Sequence, residues 1–182
     1  MSEPNHTVLD NWRSGPTSHT ALKPAHGRGI LCMDIWSSYL VTGSQDHGIR
    51  LYDLKKEKFL KELYTKRYGH TEWVTGVSFL PDQRIVSVGM DNQICIWDNT
   101  GVRCDSIKAH EGSISKLKVD RHGIIMTSGY DHKVMVWDSN AKSSLLVIHN
   151  HTQPITELEW QNSLLVTGDR SGNLGFSDVN TG

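Results

Sequence analysis

Cysteine is scarce, with three residues in 182, and Cys32, Cys95 and Cys104 form no Cys-x-x-Cys pair. This points away from a disulfide framework or a thiolate zinc cluster and towards reduced thiols packed as small hydrophobes in strand-like runs. Net charge is nearly absent too. The 19 Lys and Arg against 20 Asp and Glu leave −1, which gives no electrostatic footprint for nucleic acid or a membrane surface. No run approaches the ~18 consecutive apolar residues of a membrane span, and the amino-terminal MSEPNHTVLD has no apolar stretch of signal length. A cytoplasmic or nuclear protein is therefore expected. The glycines fall singly in turns and build no Gly-x-x-x-x-Gly-Lys cradle, so neither a phosphate site nor a cofactor is expected.

What the chain does have is a four-fold echo with a period near 40. The second copy reads His70, Val74, Val77, Phe79, Ser87, Asp91, Trp97, Asp98; the third reads His110, Ile114, Leu117, Val119, Thr127, Asp131, Trp137, Asp138. His26 to Asp53 and His151 to Asp178 follow the same order more loosely. Such a period implies stacked units that cannot bury their faces alone. Four, seven and nine positions after each His the residue is apolar, as in Ile30, Met33, Ile35 and Ile155, Leu158, Trp160. The last step is strand alternation, whereas the step of three before it breaks the period of two, so a β-bulge is expected in the first strand of every unit. Second strands are expected at 40–42, 85–88, 124–128 and 164–167. Third strands run into the closing Asp, and fourth strands fall at 59–63, 102–107 and 144–148. The fold class is all-β, with four-stranded antiparallel units and little room for helix.

The dipeptides Gly69-His70 with Trp97-Asp98, and Ala109-His110 with Trp137-Asp138, give the chain a family resemblance. It resembles the WD-repeat β-propellers, from about residue 20 to residue 178. The flanking copies depart from the pattern, with Ala25-His26 and Tyr52-Asp53 in the first and Asn150-His151 and Ser177-Asp178 in the fourth. By this resemblance the chain is a single domain, 1–182. It has an amino-terminal segment 1–23, blades over 26–64, 70–107 and 110–148, and an incomplete blade over 151–182. The His, Ser or Thr, and Asp of each unit have the composition of a nucleophile triad. The resemblance implies a structural network instead, formed by His70, Ser87, Asp91 and Trp97, then His110, Thr127, Asp131 and Trp137, with His26, Thr42 and Asp46 in the first unit. Each His links the hydroxyl to the turn Asp, and the indole N–H donates to the same hydroxyl. In the fourth unit Ser171 and Ser177 stand where Asp and Trp are expected, so its network is expected to be broken.

The resemblance further implies a non-enzymatic scaffold that binds proteins or peptides within a larger complex. The partner is expected on the rim carrying the His loops and Asp turns, at Gln45, Trp73, Met90, Tyr130 and Arg170; Trp, Tyr, Met and Arg are types enriched at interfaces. A substrate receptor of a ubiquitin ligase is the alternative. Such receptors often carry Trp-Asp-x-Arg, whereas here Asp98 and Asp138 are followed by Asn99-Thr100 and Ser139-Asn140. A propeller enzyme is a more remote reading, since every matched His already has a blade role. His149 and His151 make a His-x-His pair without a thiol or carboxylate cluster, so no metal site is expected. The basic stretch 55–67 reads as a solvated outer strand and loop.

Strand counting leaves the last blade without an outer strand. Val8 to Asp10 and Thr17 to Leu22 resemble the end of a third strand and a whole fourth strand. The 17–22 segment is accordingly expected to pair with Leu174–Ser177, in a small ring or between two copies; further blades are the other way to complete the ring.

Overall fold

The computed structural model describes residues 13–15, 19–64, 69–140 and 143–178. Among these residues fifteen strands form four antiparallel sheets. The first holds β1 (Ile30–Trp36), β2 (Tyr39–Ser44), β3 (Ile49–Asp53) and β4 (Lys58–Glu62). The second holds β5 (Val74–Phe79), β6 (Ile85–Gly89), β7 (Gln93–Trp97) and β8 (Cys104–Lys108). The third holds β9 (Ile114–Val119), β10 (Ile124–Gly129), β11 (Val134–Asp138) and β12 (Ser144–Ile148). The last has β13 (Ile155–Gln161), β14 (Leu164–Asp169) and β15 (Leu174–Asp178). Strands lie in chain order within each sheet. One outer strand starts later than its sequence pattern: β8 begins at Cys104 rather than Val102, because the Asp98 carboxylate accepts the N–H groups of Val102 and Arg103 and holds them in a turn.

Every inner strand carries a bulge at the same place. Pairing with the second strand slips between Ile30 and Cys32, Val74 and Gly76, Ile114 and Lys116, and Ile155 and Glu157. The extra residue re-aims the strand. In three blades it also supplies a hydroxyl for a second-strand carbonyl: Thr75 to Val88, Ser115 to Ser128 and Thr156 to Gly168.

The core lies between blades. Val41, Ile49 and Leu51 of the first pack on Val77, Phe79 and Ile85 of the second. Val86, Val88, Ile94 and Ile96 of the second pack on Ile125 and Trp137 of the third, and Met126, Val134 and Val136 of the third on Leu158 and Leu165 of the fourth. Each sheet thus has a leading face towards the preceding blade and a trailing face towards the next. Polar links reinforce the joints. Asp34 accepts from the Ser78 hydroxyl and the Phe79 N–H at 2.8 Å each, and Lys116 and Lys118 pair with Glu157 and Glu159 at 3.0 and 2.8 Å.

Within one chain the amino-terminal segment does not pair as expected. Residues 19–22 form no strand and do not pair with β15. The Thr20 hydroxyl instead donates to Glu57, in the β3–β4 turn of the first blade, at 2.9 Å, and the Tyr52 hydroxyl donates to the Pro24 carbonyl at 2.9 Å. These polar anchors draw the segment onto the first blade. Val8 to Asp10, Thr17 and Ser18 lie outside the described residues.

Candidate functional site: blade networks and rim turns

Each inner strand begins, and each second strand ends, at one edge of its sheet: Ile30 opposes Ser44, Val74 opposes Gly89, Ile114 opposes Gly129 and Ile155 opposes Asp169. The His loop and the turn after the second strand therefore share one rim. In the second blade, His70 Nδ1 is 2.9 Å from Asp91 and its Nε2 is 2.9 Å from Ser87 Oγ, which also accepts the Trp97 indole N–H at 2.9 Å. In the third, His110 spans Asp131 at 2.8 Å and Thr127 at 2.8 Å, with Trp137 donating to Thr127 at 3.1 Å. In the first, His26 spans Asp46 at 3.0 Å and Thr42 at 2.8 Å. Tyr52 is too differently shaped to repeat the indole bond, and its hydroxyl serves Pro24.

Geometry and charge agree in these networks. Burial works against a charge on Asp46, but the N–H groups of Gly27 and Gly48, with His26 and Ser44, outweigh it and hold the carboxyl down at about 2. Burial likewise acts to lower His70. Its bond to the Asp91 carboxylate prevails and holds the imidazole up at about 9. The burial of these groups and their use as mutual partners fit a role in pinning loops: a buried polar group left unpaired costs free energy, and these satisfy one another.

The fourth blade corrects the expectation of a broken network. His151 Nδ1 is 2.9 Å from Asp169 and its Nε2 is 2.7 Å from Thr167 Oγ1. The carboxylate has moved two positions back, from the place held by Ser171 to the last residue of β14. Glycine stands there in the second and third blades. A Cβ on Gly89 or Gly129 would come within 2.7 Å of the His70 or His110 Nδ1, so a carboxylate at that position can reach the imidazole directly. Asp169 does so. The side-chain N–H of Asn173 first, then His151, hold its carboxyl below the usual range against the opposing effect of burial. The missing indole is replaced as well: Asn150, directly before His151, donates Nδ2 to Thr167 Oγ1 at 3.1 Å. Space for it comes from Gly175, where a Cβ would lie 2.6 Å from Thr167 Oγ1, 2.7 Å from Asn150 Nδ2 and 2.8 Å from His151 Nε2. Cys95 and Met135 occupy the matching strand positions opposite Ser87 and Thr127. Signals for all three replacements were present in the residues, as Gly89 becoming Asp169, Gly69 becoming Asn150 and Cys95 becoming Gly175. They become readable together only when Asp169 and Asn150 are known to converge on His151 and Thr167 beside Gly175.

The rim turns are held by a second repeated bond. Gln45, Met90, Tyr130 and Arg170 each donate their backbone N–H to the carbonyl three positions past the blade's His, at Gly29, Trp73, Ser113 and Pro154, over 2.8–3.0 Å. The Ser113 hydroxyl adds a link across blades to the Met90 carbonyl at 3.2 Å. Tyr130 and Arg170 are exposed; Gln45, Trp73 and Met90 are half-buried. Lys61 of the basic stretch lies away from this rim, donating to the Asn99 and Thr100 carbonyls. Among the described residues no cluster of three His, Cys, Asp or Glu could hold a metal ion, and no helix is long and apolar enough to cross a membrane.

Bulged inner strands and His-to-Asp networks repeated in every blade, with indole-to-hydroxyl bonds in the middle two, define a propeller-type repeat protein. The chain belongs to the WD40 family, whose model, described as WD domain, G-beta repeat, matches residues 17–53, 60–98 and 101–138. It is 30% identical over 116 residues to a p21-activated protein kinase-interacting protein 1-like protein of Gallus gallus, covering 63% of this chain and 30% of that one. Over 160 residues it is 32% identical to the sterol regulatory element-binding protein cleavage-activating protein of Xenopus laevis, covering 87% of this chain and 12% of that one. Over 119 residues it is 33% identical to pre-mRNA-processing factor 19 of Bos taurus, covering 63% and 23%. The chain thus spans less than a third of these relatives' lengths. Its fold is that of the computationally designed Ika4 protein, at a TM-score of 0.76 and 23% identity over 87% of this chain and 96% of the other. The designed Ika8 protein matches at 0.72 and 23% identity, over 84% of this chain and 46% of the other.

Proposed function

We propose that the chain is a non-enzymatic protein-interaction scaffold that binds a protein or peptide partner on the rim formed by Gln45, Trp73, Met90, Tyr130 and Arg170. The carrying observation is the repeated N–H to carbonyl bond beneath four of these residues, with Trp73 itself supplying one of the carbonyls. A backbone bonded in this way needs no reordering on binding, and aromatic and Arg side chains are efficient anchors. The His and Asp groups that would suit acid–base chemistry are bonded to one another beneath the rim. The scaffold reading also accords with membership of a family that typically serves as an interaction domain.

The test is affinity purification with quantitative mass spectrometry on the wild type and a Trp73→Ala/Tyr130→Ala double variant, with folding checked by circular dichroism. The main co-purifying protein should be lost, corresponding to roughly 2 kcal/mol or more. Undiminished recovery by a folded double variant would remove the rim from consideration and redirect attention to the basic stretch 55–67. Ligase subunits recovered at high stoichiometry would identify a substrate receptor.

A further inference from the structure

The joint between the second and third blades shows how the edge opposite the His and Asp rim is closed. There Leu80, just past the end of β5, is fully buried, and Arg84, opposite it beside the start of β6, reaches over to the β11–β12 turn. Its guanidinium donates to the Ser139 carbonyl and hydroxyl at 3.1 Å each and to Asn140 Oδ1 at 2.9 Å. The joint between the first and second blades has Trp36 and Tyr39 at these two positions and Asn99-Thr100 in the facing turn. A tyrosine cannot repeat the guanidinium bonds, and Lys61 of β4 takes the turn carbonyls instead, at 3.0 and 2.6 Å. The space that Arg84 fills in one joint is therefore open in the other, as a cleft of about 400 Å³. Trp36, Tyr39 and Leu60 are 40–42% exposed along it, and the buried Leu51, Phe79 and Ile85 lie beneath. Both flanking sheets have all four strands, so the cleft belongs to an internal joint.

Aromatic and aliphatic walls with a few polar groups make a recognition cleft, and the polar groups select the occupant. The Asp98 carboxylate at its border is already engaged, accepting the Thr100 hydroxyl at 2.8 Å and the Val102 and Arg103 N–H groups at 3.2 Å each. Gln83 can donate or accept. The remaining groups are donors: the Trp36 indole N–H and the Tyr39 hydroxyl, which have no hydrogen-bond partner among the described residues, and the third N–H of the Lys61 ammonium. Lys58 shares the face of Lys61, since the two pair with Asp53 and Leu51, two positions apart on β3. We propose that the cleft binds a segment of a partner protein in which a large apolar side chain lies beside Asp or Glu. The apolar side chain enters between Trp36, Leu60 and Phe79, and the carboxylate accepts from Lys61 and Tyr39 in charge-assisted bonds. A basic segment would instead meet Lys61 and Lys58 as like charges. The proposal does not rest on the rim reading, because the cleft lies at the other edge of the sheets, where β1 ends and β2 begins.

The experiment is an NMR titration of the 182-residue chain with the peptide Gly-Ser-Glu-Phe-Glu-Ser-Gly, followed at the Trp36 indole N–H. Two reference peptides carry Lys for both Glu residues or Ala for Phe. Saturable binding of the acidic peptide is expected, about tenfold or more tighter than either reference, and weakening as salt is raised. Tyr39→Arg puts the residue of the closed joint into the open one and should abolish binding. Leu60→Asp, at an exposed position in a bulge of β4, should weaken binding by about tenfold or more while leaving circular dichroism unchanged. The Trp73→Ala/Tyr130→Ala variant should bind as the wild type does. Absence of wild-type binding overturns the inference, as does full binding by folded Tyr39→Arg or Leu60→Asp. Equal affinity for the Lys peptide overturns the acidic class of partner. Loss of binding in the Trp73→Ala/Tyr130→Ala variant would move the site to the rim and overturn the cleft.

Discussion

Replacing Gly175 with alanine tests whether the fourth blade holds its loop by the rewired network. The added Cβ would lie 2.6–2.8 Å from Thr167 Oγ1, Asn150 Nδ2 and His151 Nε2, too close to all three. Thr167 and His151 sit on or beside a strand and move little, so the Asn150 side chain has to withdraw. Overpacking of this kind costs about 1–3 kcal/mol, and losing the Asn150 to Thr167 bond adds about 0.5–1.5 kcal/mol. The total is about 1.5–4.5 kcal/mol, or roughly 3–18 °C in melting temperature for a chain of this length. Combining Gly175→Cys with Asn150→Gly recreates the residues of the second blade, Cys95 and Gly69, and should recover about 1–2 kcal/mol relative to the sum of the single changes. Thermal melts followed by circular dichroism, with hydrogen exchange on the β14 amides, provide the readout. An unchanged melt for Gly175→Ala, or a double variant no better than additive, would refute the claim that glycine at 175 exists to admit Asn150.

Asp91→Ala or Asp131→Ala strands a buried His donor and should cost about 1–3 kcal/mol in urea titrations. Asp169→Ala should lower the melting temperature by a similar amount, whereas Ser171→Ala, on an exposed turn residue, should leave it nearly unchanged. Asp46 is held at about 2 against an ordinary 3.8; its contribution is complete above pH 3.8 and lost as pH falls through 2, so acid melts of Asp46→Asn should be flatter than wild type there. His70 is held at about 9 against 6.5; its contribution is complete below pH 6.5 and lost as pH rises through 9, so the wild-type melting temperature should drop over that window and Asp91→Asn should flatten the drop. Tyr52→Phe removes the bond to Pro24 and should cost about 0.5–1.5 kcal/mol, and a truncation ending at Pro24 should then be no more harmful in that variant than in wild type, as measured by calorimetry.

The repeat period, the bulge in every inner strand and the composition of the second and third networks were all legible in the chain. They depend on local spacing, which the pleat of a strand and the three-residue break in alternation impose directly, as at Val74, Val77 and Phe79. The substitutions in the fourth unit were legible as departures but were misread as loss. A scan in register compares Ser171 with Asp131 and Ser177 with Trp137, and it cannot see that Asp169 and Asn150 reach the same two atoms from different backbone positions. Tertiary structure decided that, because hydrogen bonds depend on where atoms converge and not on their place in a repeat. It also decided the course of the amino-terminal segment, where outer-strand character at 19–22 gave way to the Glu57 carboxylate and the Tyr52 hydroxyl of a neighbouring blade. The exposure of Val166 belongs to the same category: Val41 and Val166 are the same residue in the same strand position, and only the presence of a following blade makes one a core residue and leaves the other at the surface.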